Sequence, residues 1–476
     1  MLMRIGGQET EAAGGTWLDV INPATGEVLD RAPAGEREDV DAAVAAAEHA
    51  AAGWEKVSPR ERGKILFHAA GAIREARGDL ARTLTREQGK PLAEAVDEVR
   101  GCANVLEFYA SVSGCLSGDF IRLGATGDGI IVREPLGVCG AIIPWNMPVI
   151  LMGWKAGPAL LAGNTLVLKP SSTTPLTTLA IAAILERAGL PPGVLNIVTG
   201  TGDAAGQAIV THPGIHKVSF TGNTATGIAV RRAAAPLLKE VTVELGGSDP
   251  MIVWKDADLP KAVEGAVHGR FYNAGQVCNA VKRVYVHEEI APRFTGELLA
   301  RVRSLRVGDG LSPSVEMGPL QNRAQLDRVE AQVARLRERG EGRILAGGSR
   351  LRGPEHDRGF FYAPTLVADP DPDAAILGEE VFGPVLPVMA VPDLDTAIAE
   401  ANRSRYGLGA SVWTRDLGVA RAVFDRARAG VVWVNRHLTV PPEIPFGGVK
   451  ESGLGRENGL QAIAGWTRAK SLLLGW

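Results

Sequence analysis

Two hydrophobic periods run along this chain. Over residues 38–52 an alanine-rich stretch places Val40, Val44 and Ala47 at helical spacing. From Asn322 to Arg339, Leu326, Val329, Val333 and Leu336 fall on one stripe; Asn322 and Gln325 stand at capping-box spacing and Gly340 ends the helix. Between helical stretches come Gly137–Ile143, Thr165–Lys169, Leu195–Val198, Lys217–Phe220 and Val241–Glu244. Bare apolar runs bounded by Gly and Pro predict parallel strands buried on both faces, joined by crossover helices. Residues 136–246 therefore read as a doubly wound α/β unit. Residues 117–135 predict two strands about the turn Thr126-Gly127-Asp128-Gly129, too exposed to be stable alone.

At 476 residues and 45% hydrophobic content, the chain has room for two or three domains with real cores. Its 51 Lys and Arg against 54 Asp and Glu give a net charge of −3, so nothing draws it to nucleic acid or an anionic membrane. Met1–Gly7 lacks the apolar run of a signal peptide, and no stretch approaches the roughly 20 apolar residues of a membrane helix. Four cysteines make no disulfide framework, so a reducing, cytoplasmic setting is expected. His212 and His216 lack an accompanying CxxC, and no metal is expected. Acidic residues interrupt the Arg335–Arg343 run, which reads as a solvated helix face.

The chemistry lies in a set of short segments. Cys278 ends Asn273-Ala274-Gly275-Gln276-Val277-Cys278, and Glu244-Leu245-Gly246-Gly247 precedes it. A thiol and a carboxylate, each beside glycines that admit a ligand to the backbone, suit covalent catalysis followed by hydrolysis. Pro144-Trp145-Asn146-Met147-Pro148 lies upstream; Glu379-Glu380-Val381-Phe382-Gly383-Pro384 and Pro445-Phe446-Gly447-Gly448 lie downstream. With these motifs in this order, the chain resembles the NAD(P)-dependent aldehyde dehydrogenases of the hydrolytic, non-acylating branch. The resemblance runs from Asn22-Pro23-Ala24-Thr25-Gly26 nearly to the C-terminus.

The resemblance implies a Rossmann-type cofactor domain, an α/β catalytic domain and a small β oligomerisation arm. The expected boundaries are 1–116 and 136–246 for the cofactor domain, with 440–461 returning to it, and 247–439 for the catalytic domain. The hairpin 117–135 and the terminal strand in 462–476 would pair with a partner subunit as a homodimer or homotetramer.

It implies site residues as well. Cys278 would attack the aldehyde carbonyl, and Glu244 would activate the water that hydrolyses the thioester. The Asn146 amide and the Cys278 N–H would bind the oxyanion. Lys155 and Glu457 are candidates for proton relay, Glu457 equally a carboxylate at a helix start. The cofactor, NADP or NAD, would touch Ile143, Pro144, Trp145, Lys169, Ser172, Gly202, Phe220, Thr221, Gly222, Asn223, Leu245, Gly246, Glu380 and Phe382. Phosphates would meet the helix N-terminus after Phe220-Thr221-Gly222-Asn223, where relatives usually carry Ser in place of Asn223. Ser172 stands where many NAD-preferring relatives carry Glu, which makes NADP acceptable. Met147, Leu151, Trp154, Val277 and Phe446 would line the aldehyde site. Arg436 would meet a polar substrate or lie on a surface turn. The activity implied is oxidation of an aldehyde to a carboxylate; the alternatives are a CoA-acylating dehydrogenase and a non-catalytic nucleotide-binding oligomer.

Overall fold

The computed structural model describes residues 1–475; Trp476, the end of the expected terminal segment, lies outside them. All five runs read as buried strands form one sheet. Its strands lie in the order Gly453–Leu454, Glu240–Glu244, Lys217–Thr221, Val138–Ile142, Thr165–Lys169, Leu195–Ile197, Met3–Ile5 and Gln8–Thr10. The five central strands are parallel. Side chains alternate between two apolar clusters: Leu166 and Leu168 face one, Val167 the other. From Val138–Ile142 the chain winds first to one side through residue 197, then returns to the other through Lys217–Thr221. That reversal opens a crevice at the carboxyl ends of the strands, where open α/β sheets hold ligands.

A second, seven-stranded sheet is built from the later part of the chain. Val281–His287 lies near its centre, between Val385–Val391 and Asp249–Val253, and only Arg343–Ala346 at one edge runs antiparallel. Val284 and Val286 pack into one cluster and Tyr285 into another, so this sheet is also covered on both faces.

The segment 117–135 forms Asp119–Arg122 and Asp128–Pro135, and Thr467–Leu474 adds antiparallel to the latter within the same chain. The turn lies earlier than its sequence predicts. Gly124–Thr126 makes a 3-10 turn closed by the Thr126 hydroxyl on Leu123 O (2.8 Å), and pairing resumes at Arg122 opposite Asp128. This sheet leaves Phe120 61% and Leu473 74% exposed, an apolar surface unusual for so small an element.

The predicted helices are present as Arg37–Lys56 and Arg323–Arg339. The second begins differently from its sequence signature. Asn322 caps it by accepting from the Gln325 N–H (2.8 Å), but the Gln325 amide does not reach back to complete a capping box. It donates instead to Phe382 O (2.6 Å), fastening the helix start to a loop of the site described below. Among the described residues, no helix is long and apolar enough to cross a membrane.

Candidate active site

A cavity of about 690 Å³ opens at the carboxyl ends of the first sheet and reaches the loops of the second. Of the residues expected at the site, Ile143, Pro144, Trp145, Asn146, Met147, Leu151, Trp154, Lys169, Ser172, Gly202, Phe220, Thr221, Gly222, Asn223, Leu245, Gly246, Val277, Cys278, Glu380, Phe382 and Phe446 line it. Glu244, Lys155, Glu457 and Arg436 do not.

The segment before Cys278 is sharply bent. Asn273, Ala274 and Gly275 all have positive φ (51°, 53° and 74°), costly for Ala274 and natural for Gly275, where a side chain would strike Gly383 O. Several hydrogen bonds hold the bend. The Asn273 N–H donates to Glu94 (2.8 Å), the Gln276 amide donates to Asn273 O (2.9 Å), and the Gln321 N–H donates to Gln276 Oε1 (2.9 Å).

Asn146 is docked against this same segment. Its Nδ2 donates to Gln276 O (2.9 Å), leaving its second N–H for the cavity, while its own carbonyl accepts from Asn273 Nδ2 (2.9 Å) and Lys90 Nζ (2.9 Å). Lys90 is fully buried and paired with the equally buried Glu98. Glu98 accepts from the Val149 N–H (2.8 Å), capping the helix Pro148–Leu161 that begins just after Asn146. Glu94 and Glu98, one turn apart on the helix Leu92–Ser111, thus hold the two loops that are docked against each other at the site.

Burial pushes the Cys278 thiol up to about 12, opposed chiefly by nearby Lys282. At neutral pH the resting protein therefore holds a thiol. Buried Cys102 and Cys139 are likewise raised to about 12.

Glu244 ends its strand with a 3% exposed side chain and turns away from the cavity toward Gly447, where any side chain would meet its carboxylate. Neither carboxylate oxygen has a hydrogen-bond partner among the described residues. Burial, then the nearby Glu457, raise its pKa well above the ordinary carboxylate range. Beside it lies a closed polar triad from three elements: Lys155 Nζ contacts Ser219 Oγ (2.8 Å) and Glu457 Oε1 (2.8 Å), and the Ser219 hydroxyl donates to the same oxygen (2.9 Å).

The other end of the cavity suits an extended anionic ligand. Asn223 caps the helix Thr224–Ala234 by accepting from the Thr226 N–H (2.9 Å), leaving first-turn amides of that helix free. Lys169 Nζ donates to Pro170 O (2.7 Å) and Gly200 O (3.0 Å), and burial lowers its pKa to about 8. Glu380 accepts from the Gly247 N–H (3.1 Å) and stands against Gly246, where a side chain would collide with its carboxylate. Phe382 packs edge-on to Trp145 at 5.5 Å between ring centroids.

Arg436, offered above as a substrate contact, is exposed to solvent. Asn435 adopts a left-handed turn (φ 53°) with its amide on Thr414 O (2.9 Å), and His437 turns inward to Asn279 O (2.8 Å). Arg436 between them points outward, and Leu438, Thr439 and Val440 reach the cavity instead. Sequence reasoning also missed that Asn322, Gln325 and Arg328 line the cavity, from a helix read only for its apolar stripe and its caps. Their three-residue spacing was the available signal. His212 accepts from the Gly214 N–H (3.0 Å) and faces Asp41, which accounts for one of the two histidines noted in sequence.

The buried Lys90–Glu98 pair generates a stability prediction. Lys90→Met leaves a buried carboxylate without its cation and should destabilise the fold by about 3–5 kcal/mol. Adding Glu98→Gln should recover most of that loss, as read from chemical denaturation midpoints. Equal destabilisation of the single and double variants would show that the pair is not coupled.

The Aldehyde dehydrogenase family model matches residues 10–472. Solved structures agree over the whole chain. A putative aldehyde dehydrogenase from Burkholderia cenocepacia is 40% identical with a TM-score of 0.98, covering 100% of this chain and 97% of that one. An NADP dependent enzyme of E. coli is 39% identical with a TM-score of 0.97, at 100% and 98% coverage. PnpE from Pseudomonas sp. WBC-3 is 38% identical with a TM-score of 0.98, at 100% and 97% coverage, and its structure has also been solved with nicotinamide adenine dinucleotide. A match across nearly the entire chain, joined to this cavity, makes the protein a member of the aldehyde dehydrogenase family.

Proposed function

We propose that the chain oxidises an aldehyde to a carboxylic acid by covalent catalysis at Cys278, with hydride passing to NADP or NAD and water releasing the product. The observation that carries this reading is the meeting of Cys278 and Asn146 on one cavity wall, with the anion-suited crevice opening beside them.

In this reading the thiol passes its proton to water in the cavity as sulfur attacks the carbonyl carbon, and the oxygen gains negative charge. The free Asn146 N–H and the Cys278 N–H stabilise that oxyanion, a contribution of roughly 3–4 kcal/mol for one such donor. The bound cofactor supplies the hydride acceptor. Lys169, Ser172 and Gly202 would hold its adenosine side, the amides after Gly222 and Asn223 its phosphates, and Glu380 its other ribose. Trp145, Leu245, Gly246 and Phe382 would flank the ring. Met147, Leu151, Trp154, Val277 and Phe446 would form the apolar wall around the aldehyde; Trp154 and Phe446 already pack at 5.1 Å.

Glu244 then serves as base for deacylation. Burial and Glu457 raise its pKa in the retracted pose, and a side-chain swing toward Cys278 takes it out of that setting before water attacks. The retracted pose also sets it beside Glu457 and Lys155, a route by which the proton leaves. Residues 136–246, with 1–116 and 440–461, would form the cofactor-binding domain, and 247–439 the catalytic domain. The exposed apolar face of the three-stranded sheet fits pairing with a second copy of this chain.

Steady-state NAD(P)H formation across aliphatic, hydroxy, aromatic and semialdehyde substrates tests the reading. Cys278→Ala should abolish turnover. Glu244→Gln should preserve a single turnover of NAD(P)H while lowering steady-state kcat at least about a hundredfold. Undiminished turnover in Cys278→Ala would remove the covalent mechanism, and a Glu244→Gln protein that also lost its first turnover would move Glu244 to the attack step.

Cofactor choice follows from Ser172. No carboxylate there repels a 2′-phosphate, so NADP should be used at least comparably to NAD. Ser172→Glu should cut kcat/KM for NADP at least about tenfold with little effect on NAD. A hundredfold preference of the wild type for NAD would contradict this.

A further inference from the structure

Lys282 stands four residues beyond Cys278, at the start of the strand Val281–His287, with only 2% of its side chain exposed. Its ammonium folds back along its own chain. It donates to Cys278 O (2.6 Å) and Val277 O (3.0 Å), and it lies 3.4 Å from Glu380 Oε1. An ammonium has three N–H donors, and here each has an acceptor within reach. The Phe382 ring centroid lies 5.8 Å from the same nitrogen. Gly247 closes the other side, since a side chain there would come within 2.6 Å of Cys278 O.

The peptide between Val277 and Cys278 is trans, so its C=O and N–H point in opposite directions. Lys282, with a second bond from the Ala280 N–H (3.1 Å), holds that carbonyl. The Cys278 N–H is thereby turned away from Lys282, and among the described residues it has no acceptor. The preceding carbonyl, Gln276 O, is held by Asn146. Successive carbonyls around the nucleophile are thus fixed by different side chains, Asn146 and Asn273 on Gln276 O and Lys282 on the next two.

We propose that Lys282 is a positioning residue for the oxyanion site: by holding the carbonyls of Val277 and Cys278 it aims the Cys278 N–H into the cavity beside the Asn146 amide. Glu380 offsets the buried charge and links this clamp to the cofactor end of the cavity. The inference rests on Cys278 being the nucleophile, and the Cys278→Ala comparison tests that separately.

Two rates measured on the full-length protein separate aim from thiol charge. Single-turnover NAD(P)H formation, with enzyme in excess over whichever of propanal, succinate semialdehyde or benzaldehyde the wild type oxidises fastest, depends on the oxyanion donors. Alkylation of Cys278 by iodoacetamide at the same pH develops no oxyanion and reports only how available the thiolate is. Lys282→Met should lower the first rate at least about tenfold more than the second, within the loss expected for one misaligned donor. Lys282→Gln, whose shorter amide reaches one carbonyl, should show a smaller gap of at least threefold, and it decides the question should the Met variant not fold. Equal falls in both rates would mean that Lys282 acts only through the thiol's charge, and unchanged rates would mean that it does not act; either result overturns the proposal.

Discussion

The site depends on how two loops from different sheets are docked. Asn146 follows Val138–Ile142, the first parallel strand of one sheet; Gln276 and Cys278 precede a strand of the other, more than a hundred residues later. They meet through hydrogen bonds made by buried groups: Asn146 to Gln276 O, and Asn273 and Lys90 to Asn146 O. A buried donor or acceptor left unmade costs about 1–3 kcal/mol, so such a set resists partial loosening. The strained Asn273-Ala274-Gly275 bend fits the same logic, its backbone cost offset by these bonds and by Glu94.

Electrostatics follow from that docking. Closing the loops removes water, and desolvation is the largest influence on Cys278, Glu244 and Lys169. Each is pushed toward its neutral form, the thiol and carboxyl upward and the ammonium downward. Burial thus disfavours the charged forms of Cys278 and Glu244 alike, with the Glu244 carboxyl turned toward Glu457 and Lys155. Cations sit just outside the cavity wall: Lys90 behind Asn146, Lys282 behind Cys278, Lys155 beside Glu457. They order backbone and carboxylates, while the cavity keeps its mixture of apolar walls and a few polar groups.

Much of this was legible because the chemistry sits in contiguous loops at strand ends. Apolar runs marked the strands, and the Gly- and Pro-bounded motifs after them marked the residues that line the cavity. What escaped notice depends on long-range packing. Lys90, Glu94 and Glu98 look like ordinary helix-surface charges until the helix Leu92–Ser111 is seen to pack against the site, with Lys90 and Glu98 buried and Glu94 half-buried. Lys282 reads as the start of a strand, and nothing in its spacing tells that it folds back on Cys278. Arg436 was read as either a substrate contact or a surface-turn residue, and the left-handed Asn435 and inward His437 leave it on the surface. Gln325 kept the spacing of a capping box and gave its amide to Phe382 instead, tertiary contact prevailing over local capping.

The central claim is that Cys278 carries the acyl group and Glu244 clears it. Peptide mass spectrometry on Glu244→Gln protein, quenched after mixing with NAD(P) and an aldehyde that the wild type oxidises, addresses this directly. The account predicts an acyl adduct on the Cys278 peptide, absent without cofactor-driven oxidation and short-lived in the wild type. An adduct on Cys102, Cys115 or Cys139, or none on any cysteine while NAD(P)H is still formed, would contradict it.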